Sequence, residues 1–237
     1  MRKKFLQLFL IPLLFTSCNE KIVNPEKPEK LFSYEIINGQ VGRVSSVTLN
    51  SDGKIAAWAG NSNDVRGNAM PRLAGHIGTV NSVKLNKSGT LLLSGSYDNT
   101  VKIWNAENGE LIQTINAHKG RVMDVKFNPA AKQFASCGDD STIKIWDINT
   151  FALLKTLKKD MGAINSISYH YTGNYLACGG DNNKIYIWDL KSDSVIVFLE
   201  GHEKAISSVE FSSAGDDLIS GSSDEKVIIW RNVFSKN

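Results

Sequence analysis

Residues 75–105 read GHIGTVNSVKLNKSGTLLLSGSYDNTVKIWN, and the chain runs through the same pattern three more times. The copies are AHKGRVMDVKFNPAAKQFASCGDDSTIKIWD over 117–147, KDMGAINSISYHYTGNYLACGGDNNKIYIWD over 159–189 and GHEKAISSVEFSSAGDDLISGSSDEKVIIWR over 201–231. Trp104, Trp146, Trp188 and Trp230 follow at an interval of 42 residues, and the same interval carries His76 to His118, then to Asp160, then to His202. A fixed period of this length marks a repeat architecture, in which each unit buries its apolar face only against neighbouring copies.

Within the first of these units Val80, Val83 and Leu85 predict one strand, Leu91 to Ser94 a second, Val101 to Trp104 a third and Leu111 to Ile115 a fourth. These Val-, Ile- and Leu-rich runs are separated by Lys87-Ser88-Gly89, Asp98-Asn99-Thr100 and Glu107-Asn108-Gly109, residue types that build tight turns. No long helical period follows the N-terminal region. An all-β fold of four-stranded sheets, packed face to face around an axis, is the expectation.

The paired motifs Gly75-His76, Ala117-His118 and Gly201-His202 with Trp104-Asn105, Trp146-Asp147, Trp188-Asp189 and Trp230-Arg231 resemble the WD-repeat β-propeller family over residues 31–231. The resemblance implies a hydrogen-bonded tetrad in each well-formed repeat. It assigns His76, Ser94, Asp98 and Trp104 to one, His118, Ser136, Asp140 and Trp146 to the next, and His202, Ser220, Asp224 and Trp230 to the last. An imidazole, a hydroxyl, a carboxylate and an indole N–H are each costly to bury alone but satisfy one another as a network. The repeat around Trp188 departs from this set, with Asp160, Cys178 and Asn182 in its places.

A degraded copy, GRVSSVTLNSDGKIAAWAGNSNDVR, lies upstream. Its Val44, Val47, Leu49 and Gly53 match Val80, Val83, Leu85 and Gly89, but only 36 residues separate Val44 from Val80. Asn68 stands at the tryptophan position, Trp58 at the serine position, and six residues are missing before Gly75-His76. That repeat is expected to be the least stable. Ser33 to Asn38 align with the fourth-strand segment Leu111 to Asn116, whereas few residues follow Trp230. In the family an N-terminal strand completes the last blade, so the resemblance implies a propeller of five four-stranded blades over 31–233, closed by that strand and free of exposed edges. An open arc completed by a second chain is the alternative, which would make the protein a homo-oligomer.

The N-terminus carries a different signal. Arg2, Lys3 and Lys4 precede the apolar run Phe5 to Phe15 and then Thr16-Ser17-Cys18. Charge followed by a short apolar stretch has the order of a secretory signal and is too short for a membrane span. Small residues ahead of a cysteine resemble a bacterial lipoprotein signal over 1–17, which implies an exported chain anchored to a membrane, at its periplasmic face or at the cell surface, through Cys18 acylated with palmitate-type chains. An ordinary signal peptide with an incidental cysteine is the other reading. Residues 18–30, polar and holding Pro25 and Pro28, read as a tether; about a dozen residues reach about 40 Å when extended. Without the three basic signal residues, the 27 Lys and Arg fall to 24, equal to the 24 Asp and Glu. That balance speaks against a nucleic-acid partner, which requires a basic stripe.

Ser, His and Asp within one unit could also describe a nucleophilic triad. A catalytic set is needed once, however, and this one recurs with tryptophan. Asp124 and Glu210 offer a carboxylate pair of the kind used in glycoside hydrolysis, yet they fall at different registers in non-adjacent repeats and read as solvated or turn-bonded acids. No enzyme activity and no cofactor are expected. Cys137 and Cys178 occupy different positions in neighbouring repeats, which predicts buried free thiols facing opposite sides of their sheets. The runs Asp139-Asp140-Ser141 and Asp181-Asn182-Asn183 coincide with the turn of every repeat, so turn chemistry explains them without a metal.

The family resemblance implies a non-catalytic scaffold that binds another protein on the face where the loops before the first strands and the second-to-third strand turns emerge. On it fall Arg43, Asn61, Asn81, Tyr97, Arg121, Met123, Asp139, Asn165, Asp181 and Ser207. Arg, Tyr and Met are the types that dominate interface energetics. A glycan-binding surface is the alternative, but Asn61, Asp139, Asp181 and Ser223 replace Tyr97 in the other repeats, so no aromatic recurs for a sugar ring to stack on.

Overall fold

The computed structural model describes residues 42–130 and 132–234. The signal, the tether and the expected closing strand at Ser33 to Asn38 lie outside the described residues, as do Cys18 and the boundaries drawn there.

Every described regular element is a β-strand. The first sheet comprises Val44–Leu49 (β1), Ala56–Gly60 (β2), Asp64–Gly67 (β3) and Leu73–Ala74 (β4). The second comprises Val80–Leu85 (β5), Leu91–Ser96 (β6), Thr100–Asn105 (β7) and Leu111–Asn116 (β8). Val122–Phe127 (β9), Gln133–Gly138 (β10), Thr142–Asp147 (β11) and Leu153–Lys158 (β12) form the third. Ile164–Tyr169 (β13), Tyr175–Gly180 (β14), Lys184–Asp189 (β15) and Ser194–Glu200 (β16) form the fourth, and Ile206–Phe211 (β17), Leu218–Ser222 (β18) and Val227–Trp230 (β19) the fifth. Each sheet is an antiparallel meander in chain order, and the fifth has three strands among the described residues. The inner strands β1, β5, β9, β13 and β17 stand side by side in that order, and all five line one central cavity. The chain is a five-bladed propeller.

The blades stack because each carries two apolar faces. Leu93, Val101 and Ile103 of the second blade meet Val122, Val125 and Phe134 of the third. Ala135, Ile143 and Ile145 of the third meet Ile164 and Ile167 of the fourth, and Ala177, Ile185 and Ile187 of the fourth meet Ile206, Val209 and Phe211 of the fifth. The same register brings Ala57, Ala59 and Val65 of the first blade onto Val80, Val83 and Leu85. Cys137 and Cys178 are free and buried, on opposite faces of their sheets, and therefore meet in the junction between the third and fourth blades. Behind the fifth blade Val233 turns back to donate its N–H to Asp216 O, and Phe234 packs on Tyr175, Phe211 and the His170 ring.

The second-to-third strand turn is the same in every blade. Asn63, Asn99, Ser141, Asn183 and Glu225 sit at corresponding positions with φ between 62° and 71°, the left-handed region that Asn adopts most readily of the three residue types present. The degraded first blade makes this turn too, but its third and fourth strands have only four and two residues. Asn68, in the tryptophan place, accepts Ala56 N–H at 2.8 Å and donates to Lys54 O at 3.0 Å, capping the strand instead of packing. Trp58, in the serine place, leaves its indole N–H buried and unbonded.

Candidate interaction face and axial cavity

Three blades hold the buried network that their residue types call for. His76 Nδ1 donates to Asp98 at 2.8 Å, Ser94 Oγ donates to His76 Nε2 at 2.7 Å, and Trp104 Nε1 donates to the same Oγ at 2.8 Å. His118, Asp140, Ser136 and Trp146 repeat this at 2.8–3.0 Å, as do His202, Asp224, Ser220 and Trp230 at 2.8–2.9 Å. Thr100 and Thr142 add a hydroxyl to the Asp98 and Asp140 carboxylates. Burial lowers the His76 and His118 pKa despite the adjacent carboxylates, which keeps the imidazoles neutral. Burial opposes ionisation of Asp140, yet bonds from the Thr142 hydroxyl, the Lys119 N–H and His118 outweigh it and hold the carboxyl at about 2. Ser94 and Ser136 are fully enclosed and already accept an indole proton, so neither hydroxyl is open to a substrate. In the fourth blade Cys178 replaces the serine. Trp188 Nε1 there has no oxygen acceptor and meets only the Cys178 sulfur, a weak one, while Cys178 Sγ lies 3.9 Å from Met161 Sδ and Asn182 donates to the Tyr186 hydroxyl at 2.9 Å. Asp160 does not enter this cluster, which is an apolar one.

The ten residues expected on the loop face divide into two groups. Arg43, Asn61, Asn81 and Tyr97 line one cavity of about 540 Å³ together with Val44, Ser45 and Thr79. Beside it the Arg121 guanidinium lies 4.9 Å from the centre of the Tyr97 ring and donates to Asp139 at 2.8 Å. That hydrogen bond raises the Arg121 pKa further. Arg121 is thereby held in place while remaining exposed. Asn81 and several of the other members serve the scaffold as well as the surface. Asn81 donates across the blade junction to Met123 O at 2.6 Å, Asn165 donates to Ile206 O at 3.0 Å and to Asp181 at 3.2 Å, and Ser207 donates to Gly221 O at 3.1 Å.

Along the axis runs a second cavity of about 380 Å³, lined by polar side chains from all five inner strands, among them Ser46, Ser82, Asp124, Ser166 and Ser208. These five share one position in their strands, and four of them stitch the blades together. Val83 N–H donates to Ser46 Oγ at 3.1 Å, Val125 N–H to Ser82 Oγ at 3.3 Å, Ile167 N–H to Asp124 Oδ2 at 3.1 Å and Val209 N–H to Ser166 Oγ at 3.2 Å. Asp124 also accepts the Ser82 hydroxyl at 2.7 Å and is 8% exposed. The expectation of a solvated or turn-bonded acid is therefore corrected for Asp124: it is a buried junction acceptor. Nor do the two acids stay apart, because Lys126 Nζ lies 3.8 Å from both Asp124 and Glu210. Burial depresses the nearby Lys84 pKa, aided by Lys126. Sequence reasoning missed the stitches, although a polar residue recurring at one inner-strand position was visible in it.

Among the described residues no cluster of three His, Cys, Asp or Glu side chains could hold a metal ion. A search among curated proteins finds no match. The family description "WD domain, G-beta repeat" matches residues 67–105, 109–147, 151–189 and 193–231, well over half of the chain. The match leaves out β1, β2 and all but the last residue of β3, the part of the first blade where Trp58 breaks the pattern. The spacing, the tetrads and this match agree, and the chain belongs to the WD-repeat family of β-propellers.

Proposed function

We propose that this protein is a non-catalytic protein-binding platform, exported and held at a bacterial membrane by lipid on Cys18. Propellers of this family generally act as interaction scaffolds, and the observation that carries the reading here is the pinned Arg121 on the Tyr97 ring beside the cavity of Arg43, Asn61 and Asn81. An arginine fixed by an aromatic ring and a carboxylate loses little rotamer entropy when it meets a partner, which is what makes such a residue an anchor. Of the rest of the face, Asp139, Asn165, Asp181 and Ser207 supply a polar rim and Met123 an apolar contact. The charged-then-apolar N-terminus ending at Cys18 and the polar residues 18–30 support the tether.

The test uses the full chain in cells. A photo-crosslinking side chain at Tyr97 is expected to trap one discrete protein, with the same group at Lys191, away from this face, as the control, and the adduct is expected to vanish in Arg121→Ala. Glycan-array binding lost in Tyr97→Ala, with no protein adduct, would replace this reading by sugar recognition. Detergent-phase partitioning that is lost in Cys18→Ala checks the anchor; a wild-type chain that stays in the aqueous phase would refute it.

A further inference from the structure

The molecule carries the two halves of one blade junction unjoined. At the four internal junctions, the inner-strand apolar residues facing the preceding blade are enclosed: Val80, Val83, Val122, Val125 and Ile167 are all 0% exposed. Their counterparts on β1 are not, with Val44 at 47%, Val47 at 67% and Leu49 at 63%. The opposite face of each internal blade is likewise closed, with Leu93, Val101, Ala135, Ile143, Ala177 and Ile185 all 0% exposed. In the fifth blade the corresponding Ile219, Val227 and Ile229 are 43%, 69% and 52% exposed. No junction of the kind that joins β1 to β5 or β13 to β17 joins β17 to β1 among the described residues.

The hydrogen bonds have the same gap. Ser46, Ser82, Asp124 and Ser166 each accept an N–H from the following blade through the side chain, whereas the hydroxyl of Ser208, the fifth member of the series and paired with Gly221 only through the sheet, takes none among the described residues. Its counterpart donor would be Val47 N–H.

We infer that two copies of this chain associate head to tail, with Ile219, Val227 and Ile229 of one copy covering Val44, Val47 and Leu49 of the other and Ser208 Oγ accepting Val47 N–H. The occupant follows from the chemistry of the faces. What covers the β1 face must present an aliphatic sheet surface with a hydroxyl acceptor at its inner edge, and the fifth blade presents both. Within one molecule neither face is covered by the other, so among the described residues both are open to a second copy. Such a contact is heterologous, so it either closes as a ring or continues as a chain. It is independent of the Tyr97–Arg121 face.

Two differently tagged full-length chains, one Ser208→Cys and one Val47→Cys, are co-expressed and oxidised. A disulfide joining the two tags is expected, with no adduct between identical tags. An intramolecular disulfide in the doubly substituted chain, without cross-linking of the two single variants, would overturn the inference in favour of closure within one molecule. Absence of both adducts would assign the faces to another occupant and overturn it as well. Val47→Asp, at a position exposed in the single molecule, is expected to weaken self-association at least about tenfold, since it buries an unpaired carboxylate, and to leave the melting temperature of the dissociated chain unchanged. Sedimentation across a dilution series reads this; an unchanged dissociation constant would refute the inference.

Discussion

Ile167 N–H in the fourth blade and the Asp124 carboxylate in the third meet at 3.1 Å across the blade junction, in the place where the other junctions use a serine hydroxyl. Asp124 therefore serves two blades at once, taking the Ser82 hydroxyl from behind and the Ile167 amide from ahead. Asp124→Ala strands both donors, and the expected loss of stability is about 1–3 kcal/mol. Asp124→Ser restores the acceptor used at the other junctions and should recover part of it. Urea unfolding of the two variants checks the order; equal losses would mean that the carboxylate acts through Lys126 alone.

The His76–Asp98 pair, at 2.8 Å, is the outer half of the tetrad, with the Thr100 hydroxyl beside it. Asp98→Ala leaves the buried imidazole N–H with only the Thr100 hydroxyl at 3.3 Å in place of a charged acceptor at 2.8 Å, and should cost about 1–3 kcal/mol. Its melting temperature is expected to fall by several degrees; an unchanged value would mean that the network contributes nothing net.

Trp104 and Trp188 stand at equivalent positions with different bonding, because Trp104 Nε1 donates to the Ser94 hydroxyl while Trp188 Nε1 meets only the weakly accepting Cys178 sulfur. Trp104→Phe removes a bond and leaves Ser94 with an unused acceptor, whereas Trp188→Phe removes only a weak N–H to sulfur contact at a similar loss of volume. The first should be more destabilising by about 1 kcal/mol. Denaturant midpoints of the pair measure the difference.

Acid should weaken the fold in two steps. Burial lowers the His76 and His118 pKa below 6.5, so their contribution is present above that pH and declines as pH falls through the window beneath it. Asp140 is lowered from 3.8 to about 2, so its contribution is present above 3.8 and declines as pH falls toward 2. Stability measured at pH 7.5, 5.5 and 3 is expected to fall at each step, and a flat profile between the first two would place the histidine charges in solvent.

Glu225 holds the left-handed turn position with φ 67°, where three of the other blades use Asn. Glu225→Gly relieves the Cβ crowding and should stabilise the fifth blade by about 0.5–1 kcal/mol after the greater freedom of glycine in the unfolded chain is counted. Chemical denaturation reads the sign.

Much of this molecule is legible in its 42-residue period. The recurring Trp104, Trp146, Trp188 and Trp230 set the blade number of the matched region, and the Val, Ile and Leu runs place each strand to within a residue or two, because strand and turn chemistry are local. The tetrad membership was equally readable, since one unit holds all of its members. The loop face was legible only as a direction: Tyr97, Arg121 and Asp139 were placed on it, but the cation–π contact that fixes Arg121 joins two repeats and depends on their angle.

Sequence alone determined the repeat, the four-stranded unit, the degraded pattern of the first copy and the departure at Cys178, all of which follow from side-chain types at fixed spacing. Only the tertiary structure decided that Asp124 is a junction acceptor rather than a solvated acid, that it shares Lys126 with Glu210 from a non-adjacent blade, and that the β1 and β19 faces stand uncovered. The reason is physical. A period fixes what each blade is, whereas the angle between blades is set by the summed packing of faces distant in sequence, and that angle determines which side chains meet at the axis and whether the first and last blades touch.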